Sequence, residues 1–198
     1  MNLFLWWNVF SFRKELTYLL TAFLFTLSLP IIAVILLTHA GIDIISDRLV
    51  TENEISASIE IHDPLTGGVV KTLRGPFYWP TTGIITLEFG ESSLYQPFHT
   101  GIDIASNRGD PITPFMPGKV VYAGEIFWGF GKHIIIDHGD NVTTVYAHLD
   151  RIFVVKGQDV VLGQVIGREG STGWSTGPHL HFQIKVFGIP VNPRTFLQ

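Results

Sequence analysis

Four of the chain's eight histidines stand in patterns that could hold a metal ion or move a proton. His99 lies four residues before Asp103 in FHTGIDIAS, His148 sits in VYAHLD, and His179 and His181 flank a leucine in TGPHLHFQI. Imidazole together with carboxylate is the donor set of a catalytic zinc, in which two histidines and one acid leave a fourth position for water. The chain has no cysteine, which excludes a thiolate-ligated zinc, an iron–sulfur cluster, a disulfide framework and a thiol nucleophile. Each pattern alone has a plainer meaning. A His-x-His in a strand is more often structural, HxxxD is common by chance, and a histidine among apolar neighbours is usually a hydrogen-bonded core residue. Their occurrence together in one small β-rich stretch favours the metal.

Strand geometry limits how these side chains can meet. Residues i and i+2 share a face about 6.6 Å apart, at roughly 3.3 Å per residue, so His179 and His181 can face one site with only one of them touching the ion. His99 and Asp103 also share a face, but a straight strand separates them by about 13 Å. Bonds of about 2.0–2.2 Å to one zinc then require a bend, and Gly101 supplies the freedom for it.

The elements that must position these residues read as strands. From Thr81 onward the chain is rich in Val, Ile, Thr and aromatics and is punctuated by glycine. GIITLEF, GIDIA, GKVVYAGEI, HIIIDHG, VTTVYAHL, QVIGREG and HLHFQIKVF are the expected strands, with turns at 108–110, 138–141 and 156–158. No amphipathic helix interrupts them. The expected fold is all-β, a two-sheet sandwich or barrel-like domain over residues 79–198. Ahead of it, SASIEIHD and VVKTL are expected to form a hairpin within a linker over residues 39–78, with residues 41–55 a short helix or linker.

With those motifs in view, the sequence resembles the lysostaphin/LytM-type zinc metallopeptidases, which cleave peptide cross-links of bacterial peptidoglycan. The resemblance runs from about Trp79 to Phe196. It is carried by HTGID, VYAHLD and GWSTGPHLHF in that order, with GDPITPFMPGKVVYAG, GKHIIIDHGD, VVLGQVIGREGSTG and the closing VNP around them. It implies an open groove with zinc at its floor, His99, Asp103 and His181 as the ligands, and His148 and His179 as the pair beside the attacking water. His148 is the preferred base, although the sequence does not separate its role from that of His179. No expected ligand is missing, whereas family members that have lost ligands act as non-enzymatic activators of other hydrolases. A non-enzymatic cell-wall or secretion-apparatus scaffold that regulates another hydrolase is therefore the alternative.

The rest of the chain fixes the setting. Between Glu15 and Asp43 there is no Asp, Glu, Lys or Arg, and residues 16–37 read LTYLLTAFLFTLSLPIIAVILL. As a helix this run spans about 33 Å, enough for a hydrocarbon core of about 30 Å. The mean hydropathy of +0.31 agrees with a transmembrane helix over residues 16–38. Arg13 and Lys14 on one side, with Asp43 and Asp47 on the other, put residues 1–15 in the cytoplasm and the β-domain in the periplasm or outside the cell. Trp6 and Trp7 suit an interfacial stretch. The competing reading is a signal peptide cleaved near Ala40; both readings export the β-domain. A net charge of −4 and a pI near 6.0 lack the basic footprint of a nucleic-acid binder.

Other features carry less. Tyr95 could donate to an oxyanion, and Phe127, Trp128 and Trp174 could rim a groove. His133 and His138 read as parts of a strand and its turn, and His39 and His62 lie outside the candidate site. There is no G-x-S-x-G. VVKGQDVVLGQVIG suggests a carrier domain of the biotinyl or lipoyl kind but lacks a lysine in the expected exposed turn, so only the β architecture is shared.

Overall fold

The computed structural model describes residues 3–93 and 96–197, with side chains from residue 14 onward apart from residue 39. Tyr95 and the side chains of Trp6, Trp7, Arg13 and His39 lie outside the described residues. The chain divides into two compact units, residues 1–40 and 41–198.

The first unit is most of helix α1, Leu3–Leu49, which holds Pro30 in its interior. From Lys14 on it is long and apolar enough to cross a membrane by length and composition. Its most apolar 18-residue window has a mean hydropathy of 2.5, and none of that window is buried in the protein. The hydroxyls within it bond back to the preceding turn, Thr26 to the Ala22 carbonyl at 2.8 Å and Thr38 to the Val34 carbonyl at 2.7 Å. Such back-bonding leaves few polar groups on the helix surface unsatisfied, as an apolar surrounding requires.

The second unit begins with the last turns of α1, where Ser46 and Leu49 are buried. Three antiparallel strands follow, β1 (Val50–Asn53), β2 (Ser58–His62) and β3 (Val69–Arg74), in the order β1-β2-β3. The expected hairpin is present as β2 and β3. The helix continues further than its apolar run, and β1 occupies part of the stretch read as helix or linker. β1 is only VTEN, too short to show a period of two.

Residues beyond 80 form β4 (Ile84–Leu87), β5 (Ile102–Ala105), β6 (Pro111–Ile112), β7 (Gly118–Glu125), β8 (Lys132–Asp137), β9 (Val142–Ala147), β10 (Arg151–Ile152), β11 (Asp159–Val160), β12 (Gly167–Arg168), β13 (Leu180–Val186) and β14 (Ile189–Val191). A 3-10 turn, Pro193–Thr195, closes the described chain. Eight strands make one antiparallel sheet, β11-β7-β8-β9-β13-β5-β4, with β14 paired to β13; β10-β12-β6 make a second, small sheet. The expectation of a mostly β chain behind one apolar helix holds. β6, β10, β11 and β12 are two-residue pairings too brief to read from periodicity.

β13 is the strand on which the site depends. It pairs with β9 on one side and β5 on the other, and six of its seven residues are buried. Alternation sends Leu180, Phe182 and Ile184 into a core with Ile102, Ile104, Phe115 and Tyr146, and it turns His181 and Gln183 to the opposite face. Gly101, just before β5, is needed for closeness rather than for an unusual φ. A Cβ there would lie 2.3 Å from the Phe182 carbonyl oxygen and 3.1 Å from Cε1 of His181. Gly101→Ala should therefore destabilise the domain by roughly 1–3 kcal/mol or more, read as a lower urea midpoint; an unchanged midpoint would contradict this packing.

Candidate metal centre

Asp103 and His181 are direct cross-strand partners in the β5–β13 ladder. That register places their Cβ atoms about 4.5–5.5 Å apart, and Nδ1 of His181 lies 2.9 Å from Oδ1 of Asp103. His99 comes from the segment before β5. Its amide donates to the Glu91 carbonyl at 2.8 Å, its own carbonyl accepts from Gly90 at 2.9 Å, and its Nδ1 donates to the Glu88 carbonyl at 3.0 Å. This clasp supplies the bend that a straight strand lacks. Nε2 of His99 ends 2.9 Å from Nδ1 of His181 and 3.0 Å from Oδ1 of Asp103.

Three donor atoms thus form a nearly equilateral triangle. The centre of such a triangle lies about 1.7 Å from each corner, within reach of zinc bonds of about 2.0–2.2 Å. The proton inventory points the same way. His99 gives its Nδ1 proton to an acceptor-only carbonyl, so its Nε2 is a bare lone pair, and a carboxylate offers lone pairs only. Burial raises the Asp103 carboxyl, but in the metal-free chain the hydrogen bond from His181, that from His99 when its ring takes up a second proton, and the charge of a protonated ring outweigh it and hold the group well below the usual carboxylate range. Burial pushes His181 down, with Asp103 pulling it part of the way back. A proton on His181 can serve one neighbour well; a cation serves all three at once. The residues present therefore fit a divalent metal.

His148 and His179 stand beside the triangle. Their ring centroids are 4.7 Å apart, and His148 is 6.0 Å from His181. Each donates Nδ1–H to a backbone carbonyl, His148 to Thr172 at 2.8 Å and His179 to Gly177 at 2.9 Å. Each Nε2 is thereby left as an acceptor, and that of His179 lies 3.7 Å from Oδ2 of Asp103. His148 holds φ at 62°, a left-handed conformation costing on the order of 1 kcal/mol for a residue with a Cβ. Burial, with His179 and His181 beside it, pushes its pKa down to about 4.

All five residues line one groove of about 320 Å³, together with Thr86, Gln96, Trp174 and Thr176. Trp174 is thus at the rim. Phe127 and Trp128 are exposed in the turn between β7 and β8 and are not among the groove's lining residues. His133 donates its Nδ1–H to the Gly131 carbonyl and stacks on Tyr122, and His138 bonds the Pro117 carbonyl and the Thr144 hydroxyl; both are structural. His62 bonds Thr51 in the β1–β3 sheet. The carbonyls of Glu88, Thr172 and Gly177 were not foreseeable, because a backbone acceptor carries no side-chain signature.

A model of peptidase family M23 matches residues 97–193. Murein hydrolase activator NlpD from Salmonella dublin is 43% identical over 119 residues, which are 60% of this chain and 30% of that protein; the chain thus spans under a third of that relative's length. The catalytic domain of the prophage-encoded M23 protein EnpA from Enterococcus faecalis is 37% identical, with 61% of this chain and 96% of that one covered at a TM-score of 0.55. A zinc containing peptidase from Vibrio cholerae is 30% identical over 75% of this chain and 46% of that one, at a TM-score of 0.58.

The depressed His148 value has a sign that can be measured in the metal-free chain. An unfolded histidine titrates near 6.5, so between that pH and about 4 the unfolded state binds the extra proton. Stability is then fully present above about 6.5 and is lost as pH falls toward about 4. Urea unfolding with chelator present should show this slope, and His148→Gln should make it shallower; an identical slope in the variant would assign it to another group.

Proposed function

Because this chain belongs to peptidase family M23, we propose that it is a membrane-anchored zinc endopeptidase that hydrolyses the peptide cross-links of bacterial peptidoglycan. The observation that carries this reading is the convergence of His99, Asp103 and His181 within 3.0 Å, with two further imidazoles presenting Nε2 alongside. His99 and His181 would hold the metal through neutral imidazoles and Asp103 through its charge. Zinc, when bound, supplies a Lewis acid and acidifies water toward neutral pH.

The chain's own groups then divide the proton work. His148 is the base in this reading. Its Nδ1–H is committed to Thr172, its Nε2 is free to accept, and its low pKa keeps it neutral at pH 7. The same low pKa makes the protonated ring a ready donor to the leaving amine. His179, fixed by Gly177, presents a second Nε2 lone pair beside the metal position, where it can relay the proton and, once it has taken one up, donate to the developing charge on the carbonyl oxygen. Trp174, Thr176 and Gln96 flank the extended peptide in the groove. The peptidase domain is residues 79–198, a two-sheet, sandwich-like body. Residues 39–78 link it to an anchor at residues 16–38, with the N-terminus inside and the domain in the periplasm or outside the cell. Secretion after cleavage near Ala40 is the variant of this placement. The partners are peptidoglycan peptides and the membrane, not nucleic acid.

A second reading is a murein-hydrolase activator without its own turnover, favoured by the likeness to NlpD. Zinc analysis and digestion of purified cell walls, with fragments read by mass spectrometry, separate the two. The enzyme should carry zinc stoichiometrically and release defined peptides, and chelation should stop the release. His148→Ala should keep zinc and lose about 10²–10⁴ of the rate. His99→Ala and Asp103→Ala should lose metal and activity together. Wild-type turnover by the His148 variant would remove that residue from the mechanism, and zinc-loaded chain that releases nothing would favour the activator.

A further inference from the structure

Three of the four clustered imidazoles have their outward nitrogen held by a backbone carbonyl: His99 by Glu88, His148 by Thr172 and His179 by Gly177. His181 is the exception. Its Nε2 is buried and has no hydrogen-bond partner among the described residues. One other side-chain atom shares that condition there, Oε1 of Gln183. The two residues are 3% and 2% exposed. They lie two apart in β13, so they stand on the same face of the strand. Buried polar atoms are almost always paired, and two unpaired ones at adjacent same-face positions call for a shared account.

Their chemistry is complementary. An amide oxygen only accepts. When the lone pair of Nδ1 is given to a cation, the remaining proton of a neutral imidazole resides on Nε2, which becomes a donor. Several neighbouring residues carry no side-chain acceptor. Phe130 stacks on its face at 5.5 Å, Gly101 lies at Cε1, and the cross-strand residues on β9 opposite His181 and Gln183 are Ala147 and Val145.

We propose that Gln183 is a positioning residue for the metal centre. The two atoms do not bond each other directly; with the ion in place Oε1 accepts the Nε2 proton of His181 across one ordered water and so holds His181 in the tautomer that leaves Nδ1 free for the ion. The inference rests on the zinc reading above but not on turnover, so it applies equally to an activator that binds metal. Outer partners of this kind raise metal affinity by about 10–100-fold.

The test uses the full chain in detergent and zinc as the probe. Gln183→Met keeps the length of the side chain and removes the acceptor, and competition with a chelator should show zinc affinity lower by about 10–100-fold. Gln183→Glu restores an acceptor and should restore affinity, which a purely structural role would not require. Histidine ¹⁵N–¹H spectra of the zinc-loaded wild type should show a His181 Nε2–H protected from solvent exchange, and that protection should be lost in Gln183→Met. Equal zinc affinity in Gln183→Met and wild type overturns the proposal alone. A wild type that binds no zinc overturns the metal reading and this inference with it. If Gln183→Met does not fold, the wild-type spectrum decides: an unprotected Nε2–H, or a proton on Nδ1, sinks the assignment.

Discussion

Two imidazole nitrogens and a carboxylate oxygen held 2.9–3.0 Å from one another, in a place nearly closed to solvent, are the constraint around which this domain is arranged. Lone pairs forced together repel unless a positive charge stands among them. The fold maintains the arrangement through backbone, not through flexible side chains. The β5–β13 register fixes Asp103 opposite His181, and the clasp of Glu88, Gly90 and Glu91 turns His99 toward both. A site supported in this way loses little conformational entropy when it takes up an ion, because its donors are already confined.

The electrostatics follow from the same confinement. Burial keeps His148 and His181 neutral, while the adjoining imidazoles keep Asp103 ionised despite its burial. Neutral rings and one negative charge suit a divalent ion, and the rings not committed to it retain lone pairs that face the groove. The left-handed backbone of His148 belongs to this pattern. Strained residues persist where surrounding structure over-determines them, and such positions cluster at functional sites.

Much of this was legible in the chain itself. The five titratable residues of the groove were visible as HxxxD, AHL and HLH, and the strands that carry Asp103 and His181, β5 and β13, were visible as GIDIA and HLHFQIKVF. The requirement for a bend between His99 and Asp103 was visible as well, since 13 Å of straight strand could not bring them together. Its cause was not. Gly101 reads as a hinge, but its backbone φ is ordinary, and what the position needs is room beneath the Phe182 carbonyl. The carbonyls that fix the imidazole tautomers leave no mark in a sequence. Gln183 does leave one, because it continues the period-two series of His179 and His181 along β13. Two-residue strands such as β6 and β12 form where tertiary pairing overrides weak local preference.

The last turns of α1 and the β1–β3 sheet belong to the same apolar core as the main sheet: Leu49, Val50, Ile59, Ile61 and Leu73 pack in one cluster with Ile102, Phe115 and Phe182. Ser46 also accepts a hydrogen bond from the Asn192 amide at 3.0 Å. A fragment trimmed to the family motif would strip one side of that core bare and leave an apolar scar prone to self-association. The smallest soluble body that keeps the core whole starts near Gly41, about forty residues ahead of the first strand of the large sheet.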